Sequence, residues 1–144
     1  MQMGRCRIFL TILGTIYCVA SCSKDEDIEV VEIINYMDMP LVNYIEGEWV
    51  AYMYVDEFYN DATQTWDEYG SHEVDYSRIY GDSICTIHME NGAQACYYYI
   101  IGENIVHLFG GATIELRVER NGPNRMRLIY DFGFNRNVVE YYRP

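Results

Sequence analysis

Residues 114–132 read Ile-Glu-Leu-Arg-Val-Glu-Arg-Asn-Gly-Pro-Asn-Arg-Met-Arg-Leu-Ile-Tyr-Asp-Phe. On both sides of the central Asn121-Gly122-Pro123-Asn124, apolar side chains occupy every second position, which is the period of a β-strand with one buried face. The four central residues provide the backbone conformations that tight turns need. The stretch therefore predicts two antiparallel strands joined by a short turn.

The same pattern continues outward through most of the chain, with turn residues about every 8–12 positions. No segment keeps a helical apolar period for more than two turns. The predicted strands are Gly47–Phe58, His72–Tyr80, Ile84–Met89, Ala95–Ile101, Ile105–Phe109, Ile114–Glu119, Met126–Phe132 and Val138–Tyr142. Eight strands with hairpin-length connections indicate an all-β protein built as an antiparallel up-and-down meander.

An open meander would expose two edge strands to other chains. A closed barrel removes both edges. An eight-stranded barrel is wide enough either to be filled by its own side chains or to hold one small ligand. We therefore predict a closed eight-stranded barrel over residues 45–144, with a two-sheet sandwich as the alternative.

A family resemblance supports the barrel. The segment Ile45-Glu46-Gly47-Glu48-Trp49 resembles the Gly-x-Trp signature in the first strand of lipocalins and the wider calycin group. In that family the tryptophan closes one end of the barrel and an arginine from the last strand packs across it. The resemblance therefore implies a small lipocalin-like barrel with Trp49 and Arg143 as its end-plug.

The N-terminal residues have the features of a targeting segment. Arg5 and Arg7 precede the apolar run Ile8–Ala20, which is too short to cross a bilayer as a helix. A basic start, a short apolar core and small residues before a break are typical of a secretory signal peptide. We predict that residues 1–21 are this peptide.

The end of that segment, Val19-Ala20-Ser21-Cys22, resembles the lipobox of bacterial lipoproteins. The resemblance implies signal cleavage between Ser21 and Cys22 and lipidation of Cys22 with palmitate-type chains. The following Ser23-Lys24-Asp25-Glu26-Asp27 resembles the acidic export tag of Bacteroidota surface lipoproteins. Together these implications describe an outer-membrane lipoprotein that faces outward at the cell surface, with a periplasm-facing protein as the alternative.

Between the lipobox and the barrel, residues 22–44 are predicted to be an acidic, flexible tether. The charge of the exported part is strongly negative, because all 22 acidic residues but only 8 of the 10 basic ones lie beyond residue 21, giving a net charge of −14. Nucleic-acid binding depends on basic side chains that neutralise phosphates. We therefore exclude nucleic acid as a partner.

No motif in the chain indicates an enzyme. The sequence has no Gly-x-Ser-x-Gly elbow and no glycine-rich phosphate loop. His72, His88 and His107 fall on three different predicted strands without a close pair, and two cysteines are too few for a four-ligand zinc site without help from histidine. We predict no catalytic residue, no metal site and no cofactor.

Cys85 and Cys96 are the cysteines that remain beyond Cys22, and an exported compartment permits a disulfide between them. They face one another if the loop is Met89–Gly92. If the turn is Asn91-Gly92 alone, Cys96 opposes another residue of the strand. We expect free, buried thiols.

Tyrosine is unusually frequent, with 14 of the 15 tyrosines beyond residue 21. Tyrosine offers a large contact area and a polar tip, which suits binding surfaces. The predicted ligand or partner face consists of Tyr52, Tyr54, Tyr97, Tyr98 and Tyr99.

Two hypotheses for function follow. In the first, the protein is a non-catalytic binding module whose barrel takes a small apolar or aromatic molecule, a glycan or a protein partner. In the alternative, it is an accessory subunit of an outer-membrane complex with a solid barrel and a tyrosine-rich docking face. In addition, Asp82-Ser83-Ile84 resembles the acceptor motif for O-glycosylation of exported Bacteroidota proteins, which implies modification of Ser83.

Overall fold

The computed structural model describes residues 35–144. The predicted signal peptide, Cys22 and most of the predicted tether lie outside the described residues. The chain divides into two units, residues 1–39 and residues 40–144. In the first unit, the described residues 35–39 form a turn in which the amide nitrogen of Asp38 donates to the carbonyl oxygen of Asn35 at 3.0 Å.

The second unit is an eight-stranded barrel with one short helix. Every neighbouring pair of strands is antiparallel, and the last strand pairs with the first, so the barrel is closed. This confirms the predicted fold over the sandwich, and the barrel is consistent with a small lipocalin-like one. The elements are α1 Leu41–Ile45, β1 Gly47–Asn60, β2 Thr65–Tyr80, β3 Ile84–Met89, β4 Gly92–Ile101, β5 Asn104–Phe109, β6 Ala112–Arg120, β7 Arg125–Asp131 and β8 Asn135–Tyr142.

No helix between residues 35 and 144 has the length and apolar character needed to cross a membrane.

Helix α1 begins inside the segment that the sequence predicted as tether, so residues 40–44 belong to the compact unit of the barrel. No side chain caps its first turn. Burial of one helix face holds it instead, because Leu41, Tyr44 and Ile45 are all buried. The chain then turns into β1 at Gly47, whose φ of 100° is a conformation that glycine adopts without a steric penalty.

Strand β2 begins at Thr65, seven positions before the strand predicted from the sequence. The acidic residues in this part of β2 have low intrinsic strand propensity. Pairing with the end of β1 compensates for this: Tyr59 lies opposite Trp66, with ring centroids 5.4 Å apart. Cross-strand contacts of this kind override propensity.

Strand β1 contains a bulge that changes which side chains face inward. Against β8 the register moves from Ala51–Tyr141 to Met53–Glu140, so Tyr52 is an extra residue without a partner of its own. Inward-facing positions are therefore odd before the bulge and even after it, and Tyr54 faces the interior. The opposite, outer face of β1, β7 and β8 has its own small apolar cluster of Val55, Ile129 and Val138.

Candidate ligand-binding cavity

One end of the barrel is closed by α1 and the indole ring of Trp49. The ring is fully buried, and its Nε1 donates to the carbonyl oxygen of Ile45 at 2.7 Å. The Arg143 guanidinium carbon lies 4.5 Å from the Trp49 ring centroid, and Arg143 Nη2 donates to the carbonyl oxygen of Tyr44 at 2.6 Å. The structure thus brings Trp49 and Arg143 together at the end where the chain enters the barrel.

Toward the other end, the barrel encloses a cavity of about 460 Å³ that is partly open to solvent. This volume lies within the range of small-molecule sites, roughly 300–1,000 Å³. The cavity opens at the end of the barrel opposite Trp49, because its lining residues Phe109 and Tyr130 lie close to the turns at that end. Six strands supply the lining residues Tyr54, Tyr76, Arg78, His107, Phe109, Ile114, Leu116, Leu128, Tyr130, Asn137, Val139 and Tyr141.

Arg78 is the charged side chain in this lining. Its Nη1 lies 3.4 Å from His107 Nδ1, and its guanidinium carbon lies 5.8 Å and 5.9 Å from the ring centroids of Tyr76 and Tyr141. Its Nε is buried and has no hydrogen-bond partner among residues 35–144, and no carboxylate of the described residues forms an ion pair with it. Because a guanidinium stays protonated in proteins, the cavity wall carries an uncompensated positive charge.

The other polar groups around Arg78 are neutral. Burial, together with the Arg78 charge, lowers the pKa of His107 to about 3, so its imidazole is uncharged at neutral pH. Burial also raises the pKa of Tyr80 and of Tyr141, which keeps both phenols protonated. The Tyr76 and Tyr141 hydroxyls lie 2.8 Å apart, and the Tyr80 hydroxyl lies 3.2 Å from His107 Nε2. Tyr76 and Tyr141 line the cavity, and whichever hydroxyl accepts in their shared hydrogen bond can donate its own proton to an anion beside Arg78.

The acidic side chain of Asp56 is linked to the cavity through Asn137, whose Nδ2 donates to Asp56 Oδ1. Asp56 does not pair with Arg78. The positive charge is therefore available to a ligand.

The five tyrosines of the predicted binding face do not share one face. Tyr54 lines the cavity, and Tyr98 is buried with its hydroxyl donating to the carbonyl oxygen of Gly81. Tyr97 and Tyr99 lie on the outer surface, 65% and 46% exposed. Tyr52 is only partly exposed, and its hydroxyl donates to a carboxylate oxygen of Glu140 at 2.9 Å. Strict alternation along β4 and the bulge in β1 separate these side chains.

Tyr97 and Tyr99 belong instead to an exposed apolar surface on the outer side of β3, β4 and β5. Tyr97 lies between Ile84 and Leu108 on the neighbouring strands, as their pairing registers show. We call this surface the outer apolar patch, and it consists of Ile84, Tyr97, Tyr99, Ile101 and Leu108.

Of the two predicted modification sites, one lies within the structure. Ser83 is exposed in the turn between β2 and β3, where its carbonyl oxygen accepts from the amide nitrogen of Tyr98 at 3.0 Å. Glycosylation of Ser83 stays a prediction. The cleavage and lipidation site at Ser21 and Cys22 lies outside the described residues.

Cys85 and Cys96 lie directly opposite one another on β3 and β4, because Met89 pairs with Gly92 around the turn. Both are buried free thiols. Burial raises the pKa of Cys85 to about 11 and also raises that of Cys96. Both side chains point into the barrel, next to the side chain of His107.

The sequence analysis did not single out Arg78, and it considered His107 only as a metal ligand, together with His72 and His88, and dismissed it. Each lies in a strand between two aromatic or apolar residues two positions away: Arg78 between Tyr76 and Tyr80, and His107 between Ile105 and Phe109. That spacing places a polar side chain on the inner face. It is the signal in the sequence that identifies both.

No protein-family model matches the chain, and no curated protein matches it at a significant level.

Proposed function

We propose that the protein is a non-catalytic binding module whose barrel holds one small molecule with an apolar or aromatic body and a single carboxylate. The observation that carries this proposal is the Arg78 guanidinium, which has no counter-charge among the described residues, in a cavity lined mainly by apolar and aromatic side chains. The carboxylate would contact Arg78, and the body would lie among the aliphatic and aromatic side chains toward the mouth.

The energetics favour such a ligand. Burial removes the hydration of the Arg78 cation, and its contacts with His107 and two tyrosine rings provide no counter-charge. A carboxylate beside Arg78 supplies charge-assisted hydrogen bonds, worth about 1.5–3 kcal/mol each, including one to the unsatisfied Nε. Because the chain carries a net charge of −12, its surface disfavours highly charged anions. A single negative charge on an apolar body meets both conditions.

Replacing Arg78 with methionine tests the proposal. We expect the native protein to bind dansyl-labelled undecanoic acid with a rise in dansyl fluorescence, and decanoate to displace it better than decanol. In Arg78→Met the preference for decanoate over decanol should fall by about tenfold or more, because the charge-assisted contacts are lost while the apolar contacts remain. Displacement curves at fixed ionic strength measure this preference.

Arg117→Met is the matched control, because Arg117 pairs with Asp131 on the outside of the barrel and does not line the cavity. The control should keep the native preference. Absence of probe binding to the native protein, or equal displacement by decanoate and decanol, would contradict the proposed function.

We also propose that the barrel is anchored to the outer membrane through a lipid on Cys22. Four features within residues 1–27 support this anchor, in the order that a lipoprotein needs: a basic start, an apolar run, a lipobox-like end and an acidic run. Stable attachment needs more than one acyl chain, as each buried methylene contributes only about 0.8 kcal/mol. These residues lie outside those the structure describes.

Radiolabelled palmitate tests the anchor. The native protein should incorporate label and Cys22→Ala should not, whereas Cys18→Ala, in the predicted signal peptide, should retain it. Label that persists in Cys22→Ala would refute the lipobox assignment. Protease treatment of intact cells separates an outward-facing protein, which is degraded, from a periplasm-facing one, which is protected.

The accessory-subunit alternative is supported by a different observation, the outer apolar patch. Contiguous exposed apolar surface is typical of docking sites. The cavity argues against the solid barrel that this alternative assumed. Tyr97→Ser separates the two proposals, because it should weaken a docked complex and leave decanoate binding unchanged.

A further inference from the structure

Two thiols and an imidazole converge inside the barrel, beside Arg78. Cys85 and Cys96 face each other across β3 and β4, and His107 on β5 lies opposite Tyr98, two positions along β4 from Cys96. All three residues are buried, and one donor atom from each lies within 4.8 Å of the other two.

The spacing is close to what a bound ion requires. A metal bonded at about 2.3 Å to three donors in a plane separates them by about 4 Å. Small side-chain rotations bring donors that lie within 4.8 Å of one another to that separation. One existing contact of the His107 ring must be released, either Nδ1 to Arg78 or Nε2 to the Tyr80 hydroxyl.

Two thiolates and an imidazole select thiophilic ions, chiefly Cu(I) and Zn²⁺. Zn²⁺ in structural sites is almost always bound by four ligands, and the cluster found among the described residues has three. Charge also distinguishes the two ions. Two thiolates with a monovalent ion carry a net charge of −1, which the adjacent Arg78 offsets, whereas a divalent ion leaves an uncompensated positive charge in the interior.

We propose that Cys85, Cys96 and His107 form an internal binding site for one Cu(I) ion. His107 also lines the cavity, which gives the ion a path from solvent. When the ion binds, both cysteine thiols lose their protons to solvent and form Cu–S bonds, without a change in oxidation state. The proposal does not depend on the cavity's taking an organic ligand.

Competition with the chromophoric Cu(I) chelator bicinchoninate, without oxygen and with the protein reduced, tests the site. The native protein should withdraw one Cu(I) per chain, and Cys96→Ala and His107→Gln should each weaken binding by at least tenfold. His88→Gln is the matched control, because His88 is exposed on β3 and outside the cluster. Far-UV circular dichroism identifies variants that have not folded.

A second measurement covers the case in which the variants do not fold. Alkylation of the native protein should modify fewer thiols in the presence of Cu(I) than in its absence. Native protein that does not compete with the chelator, or tighter binding of Zn²⁺ than of Cu(I), would overturn the proposal. A Cys85–Cys96 disulfide in protein isolated without reductant would also overturn it, because the donors would already be consumed.

Discussion

Replacing Trp49 with alanine should lower the free energy of unfolding by about 3–5 kcal/mol, the usual cost of removing a large aromatic side chain from a core. The indole ring is fully buried, between the Tyr44 ring at 5.5 Å and the Arg143 guanidinium. Its removal leaves a void, frees the Ile45 carbonyl oxygen and strips Arg143 of its aromatic contact. For a domain of this size the melting temperature should fall by more than about 10 °C.

Thermal and urea unfolding of the variant measure this change. Trp66→Ala is the matched control, because Trp66 is only partly buried on the outer face, with the Arg136 guanidinium 4.3 Å from its ring. The control should lose about 1–2 kcal/mol. Equal losses in the two variants would show that Trp49 does not close the barrel.

Replacing Glu57 with glutamine should have the second-largest effect, a loss of about 3 kcal/mol or more. Glu57 is 7% exposed and pairs with two arginines, Arg136 beside it on β8 and Arg127 at 2.8 Å. It is the carboxylate that pairs with the buried Arg136 within residues 35–144. The variant leaves that guanidinium buried without a counter-charge, which is far more costly than losing an exposed pair.

Urea denaturation at neutral pH measures the loss, with Asp131→Asn as control. Asp131 pairs with Arg117 at 3.5 Å, and both side chains are more than 40% exposed, so its replacement should change stability by about 0–1 kcal/mol. The double variant Glu57→Met, Arg136→Met should recover much of the loss, because it removes both charges and keeps the volume. A double variant no more stable than Glu57→Gln would contradict this explanation.

The sequence predicted the fold correctly because strand periodicity and turn residues are local signals. Each turn shows in a few adjacent residues, and strands β6 and β7 show in the alternation of their apolar residues. The order of the strands follows from the short connections, which force consecutive strands to pair. Closure follows from the cost of leaving edges exposed.

Which side chains of a strand face the interior was harder to predict, because this depends on contacts between strands. In β2, Ile79 is 39% exposed while Arg78 points inward, the reverse of what hydrophobicity alone indicates. The register of β2 is set by Tyr80, which packs against Tyr98 across the interior with ring centroids 5.1 Å apart. Shifting β2 by one residue to bury Ile79 would expose Tyr80 and lose that packing.

The candidate site could not be predicted from the sequence for a related reason. Arg78, His107 and Cys96 come from three strands, and their proximity depends on the pairing registers of β2 through β5. The bulge at Tyr52 is a further example, since nothing in its neighbours marks an extra residue. It moves Tyr54 into the cavity and leaves Tyr52 outside.

The seam between β1 and β8 joins positions that are far apart in the chain, such as Tyr54 and Val139. As the chain folds, β2 can pair with one edge of β1 early, but the other edge waits for the last strand. Contacts of such long sequence separation slow folding, and until they form the sheet exposes two edges on which another chain can add. The barrel therefore reaches its full stability only when β8 pairs with β1. Until this closure, the chain is most prone to associate with other copies of itself.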